Sequence, residues 1–316
     1  MDRVLSIGEL VVEFFCENID QNFYETGGRY IGPFPSGSPA IFIDTLGKLG
    51  MECGFIGTLG RDSYGNLILK KLKDDGVEVS GIKVLDNVST GLAFTTYFKD
   101  NSRKFLYYII NEAPGRFNSE LIEDDYVKTF NHLHISGNVL LFSESARKAC
   151  LKTINVIKEN GGRISFDPNI RVEMIGQNEG KKIRELFLSI LKDSFILFPS
   201  KGEIEFITDQ DNEINAVNYL FKNTKLKYIV IKKGGDGSTI WTADRYINVP
   251  VDEIEEVDAT GAGDCFGGAF LYGILNNWDL EKTGEFANLI GRETVSVRGP
   301  MEGDFSEILR IYKDKT

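Results

Sequence analysis

Asp258-Ala259-Thr260-Gly261-Ala262-Gly263-Asp264, running on into Cys265-Phe266-Gly267-Gly268-Ala269-Phe270, decides the reading of this chain. Two glycines and a small alanine make a flexible turn, and the small and apolar residues after Asp264 read as a buried helix. Such a turn can aim several backbone N–H groups at one anion, and the helix N-terminus adds positive partial charge there. The same field would keep Asp264 as a carboxylate, able to take a proton from a hydroxyl that attacks a bound phosphate. An anion cradle beside a base describes a phosphotransferase. A glycine-rich turn with an N-cap aspartate and no ligand fits the same residues.

The composition narrows the setting. At 316 residues and 42% apolar content, the chain can bury one large core, or one domain plus an appendage. A formal charge of −11 argues against a general nucleic-acid or membrane-surface binder, and a substrate phosphate would need local positive groups. Cys16, Cys53, Cys150 and Cys265 show no C-x-x-C spacing and suit a reducing compartment. His132 and His134, the only histidines, share one strand face but suggest no zinc site. Polar residues interrupt the first apolar run, and no apolar stretch nears the ~20 residues of a spanning helix. A cytoplasmic protein is expected.

Short β-branched or apolar runs alternate with helical patterns. Val4–Ile7, Phe55–Ile56, His132–Ile135, Arg163–Phe166, Phe195–Phe198 and Tyr228–Ile231 read as strands; 65–75, 143–159, 181–192 and 213–221 read as helices. The alternation implies βαβ crossovers and a largely parallel sheet covered on both faces. Two stretches break it. Residues 11–35 are strand-like and then turn-rich, and residues 90–113 read as a hairpin around Lys99-Asp100-Asn101-Ser102. Inserted strands of this kind commonly form a flap, and their aromatics suit packing. No Walker G-x-x-x-x-G-K-[ST] is present, and G-x-G-x-x-x-G from Gly261 misses the dinucleotide fingerprint.

Residues 258–270 resemble the C-terminal signature of the ribokinase-like (pfkB) carbohydrate kinases. Val4-Leu5-Ser6-Ile7-Gly8-Glu9-Leu10 resembles that family's first strand, and Gly57-Thr58-Leu59-Gly60-Arg61-Asp62-Ser63-Tyr64-Gly65 its G-x-x-G-x-D-x-x-G stretch. Phe166-Asp167-Pro168-Asn169-Ile170-Arg171 resembles the D-x-N-x-R element of the fructokinase and 2-keto-3-deoxygluconate kinase branch. The resemblance implies an α/β, ribokinase-like three-layer α/β/α sandwich with a small β-sheet lid. Residues 1–10, 36–89 and 114–316 would form the large domain, and 11–35 with 90–113 the lid over the sugar. A homodimer clasped through the lid is a further implication.

Site residues follow from the same resemblance. Asp264 would be the base, with the N–H groups of Gly261, Ala262 and Gly263 holding charge on the transferred phosphoryl group. ATP and Mg²⁺ are implied, Lys232, Gly234 and Gly237 lying beside the nucleotide in K-x-G-x-x-G. Glu203 would organise the metal's water shell indirectly, in an element where Ser200 replaces an asparagine. Ser200 and Glu203 also fit a capping box needing no ligand. Asn288 is a candidate for the adenine side. The family's activating K⁺ site would fall before Asp258 and around residues 293–299, and the sequence leaves it open.

The sugar side departs from the family pattern. Glu13 stands where relatives carry an aspartate, pushing the carboxylate about 1.5 Å further. In Ser36-Gly37-Ser38-Pro39-Ala40-Ile41, Ser36 replaces a glycine and Ile41 an asparagine; a lost buried partner costs ~1–3 kcal/mol. Tyr107 is kept, but Ile109 stands where the branch often has arginine, which argues against an acid substrate. Asn169 and Arg171 remain to hold a sugar or a phosphate oxygen. The expected reaction is ATP-dependent phosphorylation of a primary hydroxyl, fructose to fructose 6-phosphate. The alternatives are 2-keto-3-deoxygluconate, another hexose or a nucleoside as substrate, or a non-catalytic sugar- or nucleotide-sensing protein.

Overall fold

Strand β1 (Val4–Ile7) lies at the centre of a ten-stranded sheet in a computed structural model that describes residues 2–100, 102–170 and 179–314. Going outward on one side are β4 (Cys53–Gly60), then β5 (Val77–Glu78) and β6 (Ile82–Leu85), both paired to β4. On the other side come β9 (His132–Ser136), β10 (Arg163–Asp167), β11 (Ile196–Leu197) and β12 (Tyr228–Lys232), all parallel. Antiparallel β13 (Ser238–Trp241) and β14 (Tyr246–Val249) close that edge. Every residue of β1, β4 and β9 is buried, as expected for parallel strands covered on both faces.

Two apolar clusters sandwich the sheet. Phe42, Leu46, Phe266, Phe270, Phe286 and Ile290 fill one face, from the helices Ser38–Lys48, Ala262–Leu275 and Leu280–Val295. Ala149, Ile157, Phe187, Leu191 and Leu220 fill the other, from Glu144–Glu159, Gly180–Leu191 and Glu213–Asn223. The Ala262–Leu275 helix approaches the Ser38–Lys48 helix closely because Gly267 and Gly268 carry no side chain there. A Cβ on Gly268 would meet the Phe42 carbonyl at 2.9 Å.

A separate four-stranded sheet runs β3 (Tyr30–Ser36), β2 (Val11–Cys16), β7 (Gly91–Tyr97) and β8 (Arg103–Tyr108). Its strands come from the two stretches that interrupt the α/β rhythm. β8 ends at Tyr108, so Ile109 lies just past the strand. Asp62 ties this sheet to the body: Oδ1 accepts from Gly65 N at 2.8 Å, capping the Ser63–Asp74 helix, while Oδ2 accepts from Thr90 N at 2.7 Å, just before β7. Phe14 meets Tyr64 of that helix edge-on, with ring centroids 6.0 Å apart, so some aromatics of the small sheet are packing residues.

Candidate active site

The parallel strands deliver polar groups to one edge of the sheet. Glu9 follows β1; Ser136 ends β9 and Asn138 follows; Asp167 ends β10 and Asn169 follows; Ser200 and Glu203 follow β11; Lys232 ends β12. Ligands of open α/β sheets bind outside such carboxyl ends, where successive strands depart to opposite sides. Here β1 is followed by β4 on one side and β9 on the other, so the site opens beside Glu9 and Asn138.

Asp264 stands in the first turn of the Ala262–Leu275 helix, three residues past the position an N-cap aspartate would occupy. The N-cap is Gly261, at φ 79°, where a Cβ would strike Pro300 at 2.7 Å and Ile41 at 3.1 Å. That is the left-handed conformation and close approach glycine permits. Asp264 Oδ1 accepts from Ser38 Oγ at 2.6 Å. Ser38 Oγ in turn accepts from Asn169 Nδ2 at 2.6 Å and lies 3.0 Å from Ser136 Oγ. With its one proton on Asp264, the Ser38 hydroxyl fits its neighbours as donors. Asn169 is held at φ 40°, its own N–H on Asp167 Oδ1 at 3.0 Å.

Lys232 supplies the local cation. Its ammonium pairs with Asp167 and would sit 3.4 Å from a Cβ on Gly263, over the helix N-terminus. Burial pulls the lysine pKa down, but Asp167, Glu203 and Asp264 outweigh it and hold it above the usual value. Glu203 accepts from Ile170 N at 2.7 Å and from Ser200 N at 2.6 Å. Burial, then the Asp167 carboxylate, pushes its pKa up to about 7. The helix begins at Glu203 itself, with left-handed Gly202 as N-cap. The capping-box reading is therefore corrected: Glu203 does bind the Ser200 amide, but it sits at the first helical position and the Ser200 hydroxyl caps nothing.

Gly234 (φ 60°) and Gly237 (φ 82°) shape the turn after β12. A Cβ on Gly237 would run into the Val249 carbonyl at 2.1 Å. Asn288 Nδ2 donates to the carbonyls of Val249 at 2.9 Å and Pro250 at 3.3 Å. Its amide thus secures the end of β14 against the Gly237 turn. Asp258 gathers three donors: Tyr97 Oη at 2.8 Å from β7, Thr260 N at 3.0 Å and Gly299 N at 3.2 Å.

Between the two sheets opens a narrow, partly open cavity. Glu13, Ser36, Gly37, Ile41, Tyr107, Ile109, Gly261 and Asp264, all singled out in the sequence, line it. Glu13 does not hang into the space alone: Oε2 accepts from Ser36 Oγ at 2.7 Å and Oε1 from Thr95 Oγ1 at 2.5 Å. Two departures from the family pattern are thus one coupled arrangement, the longer acid reaching the serine that replaces glycine. Ile109 belongs to an apolar patch with Val11 and Ala93, flanked by Tyr107 and Phe142. Arg171 lies outside the described residues. Lys232, Glu203, Ser200 and Asn288 do not line this cavity.

The motif reading passed over Glu9, Ser38, Asn138 and Thr260 in the same wall, and Asp167 beneath Lys232. Parallel register with β1 was the available signal, since Ile7 pairs Ile135 and sets residues 8–9 beside 136–137, one residue short of Asn138. His132 and His134 prove structural. Both face Ser165 Oγ, at 3.1 and 3.0 Å, and burial before all else pushes both pKa values down, His132 to about 3.

The family model described as "pfkB family carbohydrate kinase" matches residues 1–306. Fructokinase-1 of Zea mays is 30% identical over 99% of this chain and 98% of its own length. A 5-dehydro-2-deoxygluconokinase of Clostridium perfringens is 30% identical over 99% of this chain and 94% of its own. The structure of an E. coli protein provisionally called Ribokinase II superposes with a TM-score of 0.91, at 36% identity and full coverage of both chains. The same E. coli protein has been crystallised with ATP and Mg²⁺, and that complex superposes at 0.90.

Proposed function

The chain is a member of the pfkB family of carbohydrate kinases, and on that premise we propose that it uses ATP, with Mg²⁺, to phosphorylate a primary hydroxyl of a neutral sugar, fructose first among the candidates. The observation that carries the reading is the position of Asp264. It lies in the cavity wall, in the first turn of a helix whose N-terminus Lys232 covers.

The chemistry follows from that placement. Asp264 takes the proton of the sugar hydroxyl as its oxygen closes on the γ-phosphorus, while Ser38 holds the carboxylate in line. Lys232 and the amides of the Gly261-Ala262-Gly263 turn offset charge spreading over the transferred group. Among the described residues no set of three His, Cys, Asp or Glu could hold a metal. Mg²⁺ would therefore be carried on phosphate oxygens and water, with Glu203 beyond the water, and would neutralise phosphate charge. The four-stranded sheet would act as the lid that excludes water.

Substrate choice rests on the lining. Among the described residues the cavity presents Glu9, Glu13, Ser36 and Asn138 to hydroxyls, and no lysine or arginine to a carboxylate. Among these residues an acid sugar would find no charged partner. ADP release across a panel of sugars tests this, with fructose expected fastest and 2-keto-3-deoxygluconate at least ~10-fold slower in kcat/KM. Preference for the acid, or no ADP with any sugar, would overturn it. Bonds from Val257 and Asp258 to Val295 and from Gly299 to Asp258 join the loops that would hold potassium. The same panel in KCl is expected to run faster than in NaCl.

A further inference from the structure

Glu9 lies in the cavity wall with 5% of its surface exposed, and its two oxygens are treated differently. Oε1 accepts both the Ser38 N–H at 3.2 Å and Asn138 Nδ2 at 2.9 Å. Oε2 is buried and has no hydrogen-bond partner. Two donors on one oxygen and none on the other suit a carboxylic acid, whose carbonyl accepts and whose hydroxyl donates.

The surroundings agree. Asp264 faces Glu9 from the Ala262–Leu275 helix, the Cys150 thiol from Glu144–Glu159, and Glu13 and Tyr107 from the second sheet. None of these is a cation, and an ionised Glu9 would be a buried charge with two hydrogen bonds on one oxygen and no opposite charge among these groups. Burial above all, with Asp264 adding to it, pushes the Glu9 pKa up to about 8.

We propose that Glu9 works as a neutral carboxylic acid, its Oε1 holding the Ser38 turn against Asp264 and its Oε2–H donating a hydrogen bond to an acceptor oxygen of the sugar. The inference rests on the kinase reading and adds a second acid to its sugar site. One carboxyl there takes a proton from the substrate; the other offers one. Above about pH 8 the donor becomes a second anion beside Asp264, and the sugar loses its partner.

Three proteins test it: the wild type, Glu9→Ala and Glu9→Gln, each assayed from about pH 6 to pH 9.5. The wild-type sugar KM is expected to climb by about tenfold per pH unit above about 8, while the ATP KM does not follow. Glu9→Ala should raise the sugar KM at neutral pH by about tenfold or more and abolish the climb. Glu9→Gln, whose amide still donates, should recover most of that loss and also lack the climb. A climb that persists in Glu9→Gln, or a glutamine variant no better than alanine, overturns the proposal.

Thermal unfolding supplies a readout without turnover. With the folded pKa near 8 above a reference of 4.5, protonated Glu9 contributes fully below the lower value, and that contribution is lost as pH rises toward the upper one. The Tm advantage of Glu9→Gln over wild type should widen across this window and then level. A constant gap refutes the neutral acid. A widening gap in a protein that phosphorylates no sugar refutes the kinase reading and leaves Glu9 protonated.

Discussion

The two sides of Asp264 are built by different means. Toward the proposed phosphate site, the parts are backbone: a left-handed Gly261, a bare Gly263 and a helix N-terminus, with one largely covered lysine laid over them. Toward the proposed sugar site, the parts are side chains whose mutual bonds fix the cavity: Glu13 with Ser36 and Thr95, Glu9 with Asn138 and Ser38. A backbone cradle has few sequence solutions, because a Cβ at Gly261 meets atoms within 3 Å. A side-chain pocket has many, since one residue can lengthen when its partner changes. Chemistry is therefore held constant on one side while specificity is free to move on the other.

The largest effect should come from the residue on the boundary. Asp264→Asn keeps the helix turn and can still accept from Ser38, yet cannot take the proton. Turnover is expected to fall by ~10²–10⁴-fold with ATP affinity and far-UV circular dichroism little changed. A kcat within about threefold of wild type would remove Asp264 from the chemistry and dissolve the comparison.

Next comes the lysine. Lys232→Met strands Asp167 and leaves Glu203 without its cation in a buried setting. Stability should drop by about 3–5 kcal/mol, as for other broken buried pairs, and turnover by ~10²-fold. Adding Asp167→Asn removes the stranded charge, so stability should partly return while turnover does not. Recovery of both together would mean that Lys232 is a structural ion pair and that backbone alone makes the cradle. Denaturant melts and coupled-assay rates on the three proteins separate these outcomes.

The same contrast explains what could be read from the chain. β1 spans the predicted Val4–Ile7, and the candidates Lys232 and Glu203 fall on one sheet edge beside the Gly261–Asp264 turn, because each depends on local pattern or glycine. Partnerships were not legible. Nothing in residues 13, 36 and 95 announces that they meet, since β2 pairs with β3 in one direction and with β7 across about eighty residues in the other. Glu9 and Asp167 escaped for the same reason: their roles come from register between strands, not from a motif. Ile41 looked like a missing amide; it is also the side chain against which Gly261 packs.

The smallest effect is also the one most specific to this chain. Glu13→Asp shortens the acid and leaves the Ser36 hydroxyl without its 2.7 Å acceptor; Ser36→Gly leaves Glu13 with one donor fewer. Each single change should weaken sugar KM by roughly 5–150-fold, corresponding to ~1–3 kcal/mol for an unpaired buried group. The double variant restores the short acid and glycine of the family pattern. Its KM should be markedly better than the product of the single effects, with a coupling of at least ~0.5 kcal/mol. Strict additivity would mean that residues 13 and 36 act on the sugar separately, and that the sugar side is a set of independent contacts rather than a linked wall. Coupling, in contrast, would carry a consequence for substrate range: the aspartate–glycine version leaves more room beside Thr95, so the double variant should accept bulkier sugars than the wild type does.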